Sequence, residues 1–167
     1  LLKMGLERFN LDIAILSKIE NGAYTVKHCV VPEGVELSAG ATFDFDITYC
    51  HITCFAKKPF AIEHVGTDDI YAKHPAYESF GLESYIGMPI KVEGKLYGTL
   101  NFSSPDPYER SFKSVDIDAL QLMASWIEVE LVRRQQEKML TRLNLELESS
   151  PFKLPNFRAI KESTVIC

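Results

Sequence analysis

The sequence predicts an α+β protein, with helices combined with a central antiparallel sheet of about five to six strands. Three stretches of the 167-residue chain carry that prediction. Tyr85–Ser104 holds two runs of alternating apolar residues around a turn. Leu11–Val31 holds two more strand-like runs around Asn21-Gly22, and Val115–Leu131 repeats apolar residues at spacings of three and four. Period two marks a strand and a period near 3.6 marks a helix, so both element types are written into the pattern.

Taken in order, Leu1–Phe9 reads as a helix with Leu2, Leu6 and Phe9 on one side. Leu11–Ile19 is a strand, Glu20-Asn21-Gly22 a turn, and Ala23–Val31 the partner strand. Pro32–Gly40 is a loop, punctuated by Pro32, Gly34 and Gly40. Phe43, Phe45 and Ile47 alternate with Asp44, Asp46 and Thr48 as a short strand-like lead-in. Thr48 or Asp46 is placed to cap a helix running through His51 to about Lys57. Pro59–Val65 is a further strand. Thr67–Phe80 is helical in part, with Thr67 or Asp68 as its cap and Pro75 as an interruption.

The next hairpin is organised by parity. Ile86, Met88 and Ile90 form one apolar set; Leu96, Gly98, Leu100 and Phe102 form the other. A two-residue loop at Glu93-Gly94 would set Ile90 opposite Tyr97 and put the two sets on opposite faces. A three-residue loop, Val92-Glu93-Gly94, sets Ile90 opposite Leu96, Met88 opposite Gly98 and Ile86 opposite Leu100, so both share one face. Gly94 then occupies the left-handed position, which a residue without a Cβ adopts freely. The expectation is therefore a type I turn with a bulge.

Ser104–Ser111 is a loop, and a long helix opens at Ser114 with acids where the helix dipole favours them. Leu120, Met123, Ala124, Ile127 and Leu131, with Trp126 beside them, form a broad face suited to a sheet. After a polar break at Arg133–Lys138, Leu140, Leu143 and Leu147 form a narrow stripe with the charged flanks of a helix–helix seam. A helix of ~45 Å or more, at ~1.5 Å per residue, outruns one sheet. The expected partner for the overhang is the same helix of a second subunit, making a homodimer. Ser149-Ser150-Pro151 ends the helix. Residues 1–148 are read as one domain and 149–167 as a tail or linker.

Composition narrows the class. The chain is 46% hydrophobic and 25% charged with net charge −5, which suits a globular core. No basic patch interleaved with aromatics is present, so nucleic acid is not expected as a partner. No apolar run approaches the ~20 residues of a membrane span. The opening LLKMGLERFN lacks a signal-peptide pattern, and a start at Leu reads as a piece of a longer protein. Cys29, Cys50, Cys54 and Cys167 show no secreted disulfide spacing, so reduced thiols and a cytoplasmic location are expected.

Met88-Pro89-Ile90 ending a strand, a turn with Glu93-Gly94-Lys95, Leu96–Phe102 and a helix opening near Ser114 and Asp116 together resemble the second half of a GAF domain. The resemblance runs from about Leu6 to Arg134 and implies a GAF/PAS-like sheet with helices on both sides. It implies a small-molecule-sensing or regulatory module of a signal-transduction protein, of histidine kinase or diguanylate cyclase type, with its output domain in the same longer chain. It also implies that Asp44–Phe80 crosses one face of the sheet and closes a pocket. The residues expected to bind an unidentified small molecule are Phe45, Cys50, His51, Phe60, His64, Tyr71, Tyr85 and Met88, on the sheet face bearing Ile86 or Met88. The alternative is that these aromatics only fill the core.

Sharper chemistries each demand particular residues. Bilin-attaching members would place a cysteine near Ala72, and none stands there. A thiol-dependent free methionine sulfoxide reductase would use Cys50, with Cys54 one helical turn away; it is the alternative function. Cys50, His51 and Cys54 with His64 or His74 have no defined zinc spacing, and haem through one of these histidines is equally undetermined. The cyclic-nucleotide positions of the family are met at Asn101, Phe112 and Asp116 but broken at Phe102 and Ile117. No nucleophile–base arrangement is visible, so a non-enzymatic module is expected.

Overall fold

The structure is a computed structural model and describes residues 1–149. The expected tail beyond Ser149, and Cys167 with it, lies outside the described residues. The chain divides into two units, Leu1–Val132 and Arg133–Cys167.

The first unit is built on β1 (Ile13–Glu20), β2 (Ala23–Val30), β3 (Thr42–Asp44), β4 (Phe60–Ile62), β5 (Ser84–Val92) and β6 (Lys95–Ser104). They form one six-stranded sheet in the order β3-β2-β1-β6-β5-β4. Every neighbouring pair is antiparallel. The helices are α1 (Leu2–Phe9), α2 (Tyr49–Ala56), α3 (Pro75–Phe80) and α4 (Ser114–Ser149).

Both sheet faces are covered. Ala14, Leu16, Ile86, Ile90, Leu100 and Phe102 pack with Phe9 of α1 and with Leu120, Ala124 and Ile127 of α4. On the other face Tyr24, Val26 and Tyr85 pack with Tyr49 and Cys50 of α2 and Ala76 of α3. The α+β reading with helices on both sides therefore stands.

The β5–β6 hairpin reaches the expected shared face by another route. Its turn is two residues long, with Val92 paired to Lys95. Glu93 and Gly94 have φ of 52° and 78°, the geometry of a type I′ turn. Parity is restored inside the strands, where the register shifts between Ile90 and Lys91 and leaves Tyr97 as the extra residue. Ile90 then meets Gly98, Met88 meets Leu100 and Ile86 meets Phe102, each two residues beyond the expected partner, which keeps the shared face. Leu96 leaves the apolar face and is 44% exposed. A tight turn matching the strand twist and a bulge further in satisfy the pattern as well as a three-residue loop would.

Local chemistry explains the other departures. Thr48 precedes α2, but its hydroxyl donates back to the Phe45 carbonyl at 2.8 Å instead of capping the helix. Asp44, not Asp46, accepts a backbone N–H, at the 3₁₀ turn Phe45–Ile47. Asp68 accepts from the N–H groups of Ile70 and Tyr71, both at 2.9 Å. Pro75 opens α3 rather than interrupting it, because the first turn needs no N–H there. His74 Nδ1 accepts from the Ala76 N–H at 3.1 Å, which requires a neutral ring. Burial and nearby His51 push its pKa down, in keeping with that role.

Leu120, Ala124 and Ile127 are buried on the sheet as expected, with Met123 and Leu131 beside them. Trp126 is a correction: it is 59% exposed, on the outward face with Leu122 and Val129. Residue 126 is one position before Ile127, about 100° around the helix from it. Asp116, 2% exposed, is held by Arg8 Nη1 at 2.9 Å and by the Lys113 N–H at 2.9 Å, so α1 is tied to the start of α4.

In the second unit the described residues are helical. Arg142 and Glu146 pair at 2.8 Å, and Arg133 pairs with Glu137. Leu140, Leu143 and Leu147 are 61%, 45% and 72% exposed. Among the described residues no helix is long and apolar enough to cross a membrane.

Candidate functional site

The strand alternation that buries Leu100 and Phe102 against α4 turns Thr99, Asn101 and Ser103 to the opposite face. There a cavity of about 280 Å³ opens between the sheet and α2. Its floor is Tyr24 of β2, Tyr85 of β5, Asn101 and Ser103 of β6, and Ile13 and Ile15 of β1. Thr48, Tyr49 and Cys50 at the start of α2 form one wall. Phe43, Phe80 and Leu82 line another side, and Val35, Glu36 and Leu37 of the β2–β3 loop line a third.

A buried hydrogen-bond network underlies the floor. Ser17 Oγ and Thr99 Oγ1 lie 2.8 Å apart. Asn101 Nδ2 donates to the Tyr24 hydroxyl at 3.2 Å and to Cys50 Sγ at 3.3 Å. The Tyr85 hydroxyl lies 2.8 Å from Thr53 Oγ1 and donates to Cys50 Sγ at 3.6 Å. Tyr49 donates its hydroxyl to the Leu82 carbonyl at 3.0 Å. Burial pushes the Tyr24 and Tyr85 phenols well up, and Cys50 with them. The network is therefore one of neutral hydroxyl, amide and thiol groups.

Of the residues expected to bind a ligand, the cavity brings together Cys50 and Tyr85. Phe45 and His51 meet edge to face with ring centroids 5.3 Å apart, and His51 lies 3.8 Å from Asp46. Phe60 and Tyr71 pack edge-on at 5.2 Å. His64 Nε2 lies 3.5 Å from Glu83. Burial would raise the Glu83 carboxyl, but the Tyr77 hydroxyl, the Gly66 N–H and His64 together hold it below its ordinary value. Met88 is a correction with a simple cause. Met88 and Ile86 have the opposite parity to Tyr85, so they face α1 and α4 and not the crossover segment. The cyclic-nucleotide positions are likewise divided. Asn101 lines the cavity, Phe112 packs on the α4 side, and Asp116 is engaged by Arg8.

Sequence reasoning missed Tyr24, Ser103 and the loop residues Val35–Leu37. The available signal was the alternation itself. Thr99, Asn101 and Ser103 alternate with Leu100 and Phe102, and α2 covers their side of the sheet as well. A larger cleft of about 370 Å³ lies beside Asp12, Ser104, Asp106 and Arg110. Its polar groups already serve each other: Ser104 donates to Asp12, Ser84 to the Asp106 carbonyl at 2.9 Å, and Arg110 to the Tyr108 hydroxyl at 3.1 Å. The smaller cavity is the better candidate because it joins apolar walls to convergent polar groups.

Cys29, Cys50 and Cys54 are free thiols. Burial pushes Cys54 up to about 12, with a further contribution from Cys50. Thiols held protonated at neutral pH are poor nucleophiles. Alkylation of Cys50 and Cys54 by iodoacetamide at pH 7.5 is therefore expected to be at least about tenfold slower in the folded protein than in urea. Peptide mass mapping checks this; equal rates would show that α2 opens freely.

The family model described as GAF domain matches residues 2–131. Three solved structures similar to this chain illustrate the range. The blue-light absorbing form of the Thermosynechococcus elongatus PixJ GAF-domain is 17% identical with a TM-score of 0.69, covering 86% of this chain and 88% of that one. The phycoerythrobilin-bound GAF domain from a cyanobacterial phytochrome is 17% identical with a TM-score of 0.68, covering 82% and 84%. A type II free methionine-R-sulfoxide reductase from Thermoplasma acidophilum is 15% identical with a TM-score of 0.60, covering 80% and 87%. At these identities the likeness is one of fold. No match to the chain was found among curated proteins.

Proposed function

The chain belongs to the GAF domain family, and on that premise we propose that it senses a small molecule on behalf of a cytoplasmic signalling protein, of histidine kinase or diguanylate cyclase type, whose output domain lies in the same longer chain. The observation that supports this reading is the cavity of about 280 Å³, with apolar walls and a hydrogen-bonding floor. That volume is at the small end of ligand pockets, which run from about 300 Å³ upward. A similar phytochrome GAF domain carries phycoerythrobilin. Here no cysteine stands near Ala72, and Cys50 is buried in the cavity wall, which favours a smaller, non-covalent ligand. The raised thiols argue against the reductase alternative, and methionine sulfoxide with a reductant is expected to give no turnover.

The second part of the proposal is a homodimer through Leu140, Leu143 and Leu147. Three exposed leucines at spacings of three and four are what a self-complementary helix seam needs. Native mass spectrometry of freshly purified protein tests both parts. The expected spectrum is a dimer carrying a retained small-molecule mass, and a chain ending at Arg134 should be monomeric. A bare protein that also fails to bind any member of a metabolite library would overturn the sensing role. A shortened chain that dimerises equally well would place the interface elsewhere.

A further inference from the structure

The same cavity states what kind of molecule fits it, an inference that rests on the sensing role proposed above. Glu36 is the one carboxyl group among its lining residues, and no lysine, arginine or histidine lines it among the described residues. An anion entering would leave its charge unpaired in a largely apolar enclosure, which is costly. The amino end of α2 borders the cavity and carries a partial positive charge of about half a unit. Glu36, on the exposed loop at the cavity's edge, adds a negative charge on the side from which an anion would enter.

The floor also holds unused hydrogen-bonding capacity. Ser103 is 1% exposed and lines the cavity, yet its hydroxyl has no hydrogen-bond partner among the described residues. Lining the cavity, that hydroxyl is placed to meet a ligand. Beside it stands Asn101, whose amide nitrogen donates to Tyr24 and Cys50 and whose side chain also lines the cavity. The remaining lining is aromatic and aliphatic, with Phe43, Phe80, Leu37 and Ile15 prominent. A dry cavity of about 150 Å³ is enough for benzene. A space of about 280 Å³ suits one or two rings.

We propose that the cavity takes a small, uncharged, largely apolar molecule of one or two rings, whose single hydrogen-bonding group meets Ser103 and Asn101. Indole, neutral with one N–H donor, and indole-3-carboxylate, its anionic counterpart, are the matched probes. Calorimetric titration of the whole chain should show indole binding at least about tenfold more tightly than the carboxylate. Ser103→Ala should fold with equal or higher stability, because the hydroxyl has no protein partner to lose. It should bind indole about threefold to tenfold more weakly. Glu36→Gln, on the exposed loop at the cavity's edge, should reduce the deficit of the carboxylate relative to indole.

Equal or tighter binding of the carboxylate would overturn this inference alone and leave a sensor of anions. Binding of neither probe would overturn this inference and leave the sensing role to be decided by the metabolite library. Unchanged indole affinity in Ser103→Ala would overturn the docking position, and an unchanged carboxylate deficit in Glu36→Gln would overturn the charge argument.

Discussion

Gly98→Ala is expected to lower stability by about 3 kcal/mol or more, the largest effect of any single methyl in this fold. The reason is backbone, not side chain. A Cβ at Gly98 would lie 1.9 Å from the Ser17 carbonyl oxygen and 2.7 Å from its carbon. Neither atom belongs to a side chain that can turn away. The close approach arises where β1 and β6 leave their regular ladder. The paired register runs from Ile13 with Ser103 to Leu16 with Leu100 and then stops. Beyond it the Ser17 hydroxyl accepts the Thr99 N–H at 3.1 Å, replacing the ladder bond with a side-chain one. A methyl at Gly98 must push β1 away and break that exchange. Urea unfolding of the variant measures the loss; a cost below about 1 kcal/mol would mean that the two strands separate without penalty.

Phe102→Ala is expected to cost about 3–5 kcal/mol, and its interaction with Gly5 gives the packing a sharper test. Phe102 is fully buried between β6 and α1, with its ring centroid 4.9 Å from that of Phe9. A Cβ at Gly5 would lie 2.2 Å from the tip of the Phe102 ring, so the helix approaches the sheet only because residue 5 lacks a side chain. Gly5→Ala alone sets about 1–3 kcal/mol of overpacking against a helix-propensity gain of about 1 kcal/mol. In a Phe102→Ala background the new methyl enters vacated space, and the same substitution should become stabilising by about 1 kcal/mol. The double-mutant cycle should therefore show a coupling above about 1 kcal/mol. Effects that add within about 0.5 kcal/mol would mean that α1 does not rest on Phe102.

These two glycines mark where sequence reading stops. Gly98 was visible as one member of an apolar alternation, and its placement on the Ile90 side was correct. Nothing local says that another strand's carbonyl lies 1.9 Å from where its Cβ would be. Gly5 sits inside a helical pattern, where it weakens the helix, and only the ring of a residue far along the chain explains its presence.

The candidate site shows the same division. Cys50 and Tyr85 were legible as part of a covered segment and a strand beneath it. Met88 was assigned to the wrong face because alternation identifies two faces without saying which one a crossover covers. Tyr24, Asn101 and Ser103 come from strands far apart in sequence and meet because β2, β1, β6 and β5 are neighbours in the sheet.

The element types, the chain order, the two hairpins and the sheet-facing side of α4 follow from periods of two and 3.6, because these are properties of the backbone over a few residues. The hairpin register, the covering of both sheet faces and the cavity with its neutral floor belong to the tertiary structure. A bulge changes parity without changing composition. Burial depends on what arrives from elsewhere in the chain, and a pocket is the space that elements distant in sequence leave between them.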